Sequence, residues 1–134
     1  MEIFSQYSSS IQALGAIVVL MLIQVLAVDF IGIKKKHIPG AAIPSDHKLL
    51  LFRANRTVAN TNESIGLFTI AFLFAVHSDA SPSFVAYSVW GFFSGRAIFA
   101  VFYYANLKTL RSISFGFILL SLACLIGAGV VKWL

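Results

Sequence analysis

Four apolar runs, at about Ile11–Ile33, Arg56–His77, Phe84–Ala105 and Ile113–Leu134, occupy nearly all of the 134 residues. About 20 apolar residues are needed to cross a bilayer as a helix, at a rise of about 1.5 Å each, and every run is about that long. With 59% hydrophobic residues and 11% charged ones, the composition lies far from that of a soluble domain. The chain is therefore expected to be all-α. It reads as one four-helix transmembrane bundle over residues 1–134, with helices at about 11–33, 50–77, 84–105 and 113–134. No stretch is left over for a soluble domain, and no internal repeat or low-complexity tract appears.

The placement of charge then sets the topology. The net charge is +5, a balance that in a soluble protein points to nucleic acid. Here Lys34, Lys35, Lys36, Lys48 and Arg53 lie between the first and second helices, and Lys108 and Arg111 between the third and fourth. The other side carries Glu2, Asp79 and only Lys132. The positive-inside rule puts both basic loops in the cytoplasm and both termini outside, with lipid head groups rather than nucleic acid as partners. The first helix is not a signal peptide, because it lacks a basic leader and ends in a stop-transfer-like lysine run. Cys124 is the only cysteine and is read as a packing residue.

The second run holds the chemistry. Its apolar part, Ile65 to Val76, is too short to span alone, so the helix recruits residues before it and takes Asn60 and Glu63 into the hydrocarbon. Ionisable groups at that depth usually face the bundle interior and mark a functional site. At about 100° per residue, Arg53, Arg56, Asn60 and Glu63 share one narrow arc, and Arg96, Phe99 and Tyr103 align on the third helix. Glu63 lies fourteen residues before His77 and Arg96 twelve after Phe84, so the two should sit level and form a buried ion pair. Arg56 comes level with Tyr103 and Tyr104, nearer the basic rim. A basic pocket with amide and phenol donors suits a small anion with several carboxylates. Its arginines would also stabilise a thiolate. Arg53 and the lysine run are expected to be solvated. His37, His47 and His77 show no metal-ligand spacing, so no metal site is expected.

These residues resemble the MAPEG family, the membrane-associated proteins in eicosanoid and glutathione metabolism. Arg56-x3-Asn60-x2-Glu63 opens the second helix, Gly95-Arg96 precedes Tyr103 in the third, and Lys108-x2-Arg111-Ser112 extends the match. The resemblance implies a homotrimer that binds glutathione between subunits near the cytoplasmic face. It assigns glutathione contacts to Arg56, Asn60, Glu63, Tyr103 and Lys34, and thiol activation to Arg111, with Arg96 as the buried partner of Glu63. The short loops are those of a bacterial member, and hence of an inner-membrane protein. Three positions depart from the common pattern: Ser64 and Gly66 stand where many members carry an aromatic and a proline, and Phe99 where a His or Tyr is common.

The function implied is a glutathione transferase or peroxidase acting on lipophilic electrophiles, with glutathione as co-substrate. A non-catalytic lipid-binding or scaffolding protein of the same fold is the alternative. A small four-helix exporter fits less well, because its carboxylate belongs mid-membrane in the first helix and Asp29 lies near the end of this one.

Overall fold

The computed structural model describes residues 5–134. Four helices follow one another: α1 (Ser8–Lys34), α2 (Leu50–His77), α3 (Pro82–Tyr104) and α4 (Lys108–Val130), with no strand among the described residues. α1, α3 and α4 are long and apolar enough to cross a membrane. α2 has the length, at 28 residues, but carries Arg53, Arg56, Asn60, Asn62 and Glu63 in its first half.

The helix ends follow from local backbone chemistry. α1, α2 and α3 each stop at one residue in the left-handed region: Lys36 (φ 54°), Asp79 (φ 49°) and Asn106 (φ 59°). In each case the next amide reaches back five residues: His37 N to Gly32 O at 3.0 Å, Ala80 N to Ala75 O at 3.1 Å, and Leu107 N to Phe102 O at 2.9 Å. This hydrogen-bond pattern satisfies carbonyls that a helix end would otherwise leave unpaired. Pro82 opens α3, where its missing N–H costs nothing.

α4 begins five residues earlier than position 113. The connection from α3 is only residues 105–107, and Arg111 N closes the first turn onto Leu107 O at 3.0 Å. Lys108 and Arg111 therefore belong to the first turn of a helix and not to a loop.

α2 packs against α3, and α1 and α4 each touch both of them from opposite sides. The core between them includes Phe68 stacked on Phe92 (centroids 4.2 Å), with Val85, Val89, Ile118 and Leu125. α3 and α4 come closest at two glycines. A Cβ on Gly91 would stand 2.7 Å from Ser121 Oγ, and one on Gly95 would stand 2.7 Å from Ile118 Cγ1. Small residues permit such approaches between membrane helices. At the opposite end from the basic loops, Tyr7 Oη donates to Ala80 O at 2.6 Å and ties the start of the chain to the α2–α3 turn.

Candidate functional site

One edge of α2 carries Arg56, Asn60 and Glu63. Arg56 Nη2 and Glu63 Oε1 are 3.7 Å apart, two turns from each other; Glu63 is exposed and Arg56 is partly buried. Arg96 arrives from α3, and it is 1% exposed. Its Nη1 donates to Asn60 Oδ1 at 2.6 Å, and its Nη2 donates to Ser64 Oγ. The guanidinium lies between the rings of Phe92 (5.3 Å) and Phe99 (5.9 Å), while its Nε has no hydrogen-bond partner.

The expected ion pair between Glu63 and Arg96 is therefore not formed; among the described residues Glu63 pairs with Arg56 instead. The reason is azimuth, not depth. Asn60 and Ser64 are four apart and share the face that meets α3, whereas Glu63 is turned about 100° from Ser64. Because Asn60 Oδ1 is taken by Arg96, its Nδ2–H groups remain as the donors available to a ligand.

Those donors open onto a cleft of about 250 Å³ lined by Asn60, Phe99, Tyr103, Arg111, Ser112 and Phe115. The first turn of α4 swings Arg111 over the Tyr103 ring, 4.3 Å from guanidinium carbon to centroid. Arg111 Nη1 is buried and has no partner. With Arg96 behind and the Arg56–Glu63 pair beside it, the cleft carries an excess of positive charge. Such a site attracts an anion, and a guanidinium next to a thiol favours its ionised form.

Of the residues named from sequence, the fold brings Asn60, Tyr103 and Arg111 into one cleft. Arg56 and Glu63 flank it on the exposed side of α2. Lys34 lies apart, exposed at the end of α1 with its Nζ 4.5 Å from the Phe30 ring centroid. α1 and α4 lie on opposite sides of the α2–α3 pair, so Lys34 does not line this cleft.

Arg53 was expected to be solvated and is instead a clasp. Its Nη1 donates to His47 O (2.7 Å) and Lys48 O (2.9 Å), and its Nε donates to Tyr104 O (3.2 Å). The clasp brings His47 from the first loop against Tyr103, Nε2 to Oη 3.4 Å. Sequence reasoning names His47 only in excluding a metal site and Ser64 only as a departure from the family pattern, and gives neither a place in the site. Ser64 was legible as the residue one turn beyond Asn60, but nothing in the loop's composition signals that it folds back.

A larger cleft of about 680 Å³ separates the end of α1 from the first loop and is lined by Asp29, His37 and Asn55 among mainly apolar neighbours. It contains a carboxylate and no lysine or arginine, the reverse of the first cleft. Among the described residues no three His, Cys, Asp or Glu side chains are grouped to hold a metal ion.

The model of the MAPEG family matches residues 10–131, which takes in all four helices but for the first two residues of α1. No curated protein matches the chain.

Proposed function

The chain belongs to the MAPEG family of membrane proteins, and from that premise we propose that it is a membrane-bound glutathione transferase or peroxidase. The observation that carries this reading is Arg111, whose buried Nη1 has no partner and whose guanidinium caps a cleft also lined by Asn60 and Tyr103. Glutathione is a tripeptide with two carboxylates, one ammonium and one thiol. Arg56 and Asn60 suit its carboxylates and amide carbonyls, Glu63 suits the ammonium, and Arg111 suits the thiolate. The thiolate attacks an apolar electrophile dissolved in the bilayer; a sulfur–carbon bond forms and the leaving group departs with its electron pair. With a hydroperoxide, sulfur instead attacks the terminal oxygen, the O–O bond breaks and the alcohol leaves, giving a sulfenic acid. The thiol of a second glutathione attacks that sulfur, the S–O bond breaks and water leaves as the disulfide forms.

The surface of α2 supports assembly with further copies. Asn62, Glu63 and Thr69 are exposed along it, and polar groups facing hydrocarbon are costly. A homotrimer around α2 covers them and closes the open side of the glutathione site. Lys34 then serves a neighbouring subunit's site, because it cannot reach the cleft of its own. The basic residues of the first loop and of the first turn of α4 face the cytoplasm of a bacterial inner membrane, and both termini lie outside.

The test is spectroscopic. Glutathione bound to purified protein should show thiolate absorbance in the ultraviolet near neutral pH. Arg111→Ala should abolish that absorbance and lower conjugation of an aryl halide at least tenfold, while weakening binding only about threefold. A bound but un-ionised thiol in the parent protein would reject the catalytic role and leave the lipid-binding reading of the fold.

A further inference from the structure

His47 has no helix or strand to hold it, yet its ring is held in place. Arg53 Nη1 donates to its carbonyl, and Asp46 Oδ1 accepts from Lys48 N at 2.8 Å, which fixes the backbone on its far side. The imidazole meets the Phe52 ring edge-on (5.0 Å, 79°) and lies roughly parallel to Tyr103 (6.1 Å, 21°). Its Nε2 is 3.4 Å from Tyr103 Oη. The other histidine of this loop, His37, is bonded to Ala41 O instead. Around His47 the charged and titratable groups are Asp46 and Lys48 on the loop, Arg53 on α2, Tyr103 and Tyr104 on α3, and Arg111 on α4 over the Tyr103 ring.

A phenol has one hydrogen to give. A neutral imidazole whose hydrogen is on Nδ1 accepts that hydrogen at Nε2, and Tyr103 then presents only lone pairs to the cleft. An imidazolium can only donate. Once His47 is protonated, its Nε2–H points at the phenol oxygen and the Tyr103 hydrogen is released toward the cleft beside Arg111. Histidine is the side chain best suited to such an exchange, since its ring can either accept at one nitrogen or donate from both.

We propose that His47 is a positioning residue whose protonation decides whether Tyr103 offers the cleft a hydrogen-bond donor, and that the donor is taken by the anionic sulfur group of bound glutathione. This rests on the glutathione reading above. His47 touches no substrate; it acts through Tyr103. Acid therefore adds one donor to the Arg111 side of the cleft, and base removes it.

The probe is glutathione sulfonate, which keeps its negative charge at sulfur throughout this pH range. Its affinity for the full-length protein in detergent should be about fivefold higher at pH 5.5 than at pH 7.5, the value of one hydrogen bond of about 1 kcal/mol. The difference should vanish in His47→Gln and equally in Tyr103→Phe. A pH dependence that persists in Tyr103→Phe would overturn the proposal, because the imidazolium charge would then act across space without the phenol. A pH-independent parent would overturn it as well. Without ligand, the ¹⁵N signal of His47 Nε2 should shift in Tyr103→Phe; an unmoved signal would show that the two side chains do not interact. A signal that moves in a protein that binds no glutathione sulfonate at any pH supports the His47–Tyr103 exchange and rejects glutathione as its ligand.

Discussion

Arg96 carries its charge into the bundle with only neutral acceptors beside it, Asn60 Oδ1 and Ser64 Oγ. Counting residues from the α2–α3 turn placed Arg96 at the depth of the α2 polar stretch. Depth was legible because a short turn makes two helices antiparallel with matched levels. Azimuth was not, since one residue turns a helix by about 100° and the count says nothing about which faces meet. Arg96 therefore orients the Asn60 amide and touches no carboxylate; Glu63 acts on its charge only across space. Arg96→Leu should leave the thermal midpoint unchanged or slightly raised, because losing a buried charge without a contacting partner offsets two lost hydrogen bonds. The same variant should bind glutathione about tenfold more weakly, as Asn60 loses the contact that aims it. Calorimetry and a binding titration on one preparation separate the two effects. A large fall in midpoint with binding intact would make the guanidinium structural.

Three helices end on the same backbone device, yet only one of the three residues at the left-handed position is poorly suited to it. Asn and Asp tolerate positive φ, whereas a lysine there is strained by about 1 kcal/mol. Lys36→Gly should raise the thermal midpoint by a few degrees, and Asn106→Gly by much less. Equal gains would show that the strain is not a matter of side-chain type. The helix ends also show where sequence reading stops. The stretch Lys108-Thr-Leu-Arg-Ser is polar and reads as a loop, but a first helical turn at a membrane rim is polar for the same reason a loop is. The close contacts between helices fall at Gly91 and Gly95 of α3 and at Gly129 of α4, where a Cβ would stand 2.5 Å from the Phe74 ring. A list of small residues in one helix does not say which ones a neighbour approaches.

The whole molecule carries a polar stripe on a surface that, in a lone subunit, would face lipid. Gly66 lies on that stripe with nothing within 4 Å of the position a Cβ would take. Gly66→Phe should therefore fold normally as a subunit and fail to form the proposed trimer, read by light scattering in detergent. A trimer of unchanged mass would place the interface elsewhere. The fold class was legible across the whole chain because four bilayer-length runs leave few alternatives. The proposed assembly is not legible in composition, because its surface would be made of residues that one subunit leaves exposed. At the rim proposed to face the cytoplasm, Arg53 grips three carbonyls from two segments. Proteolysis is where that grip becomes visible. A protease needs several residues of slack chain, and the bonds from Arg53 take that slack from the stretch around His47 and Lys48. Digestion of inside-out vesicles should leave that stretch intact, and Arg53→Ala should open it to cleavage.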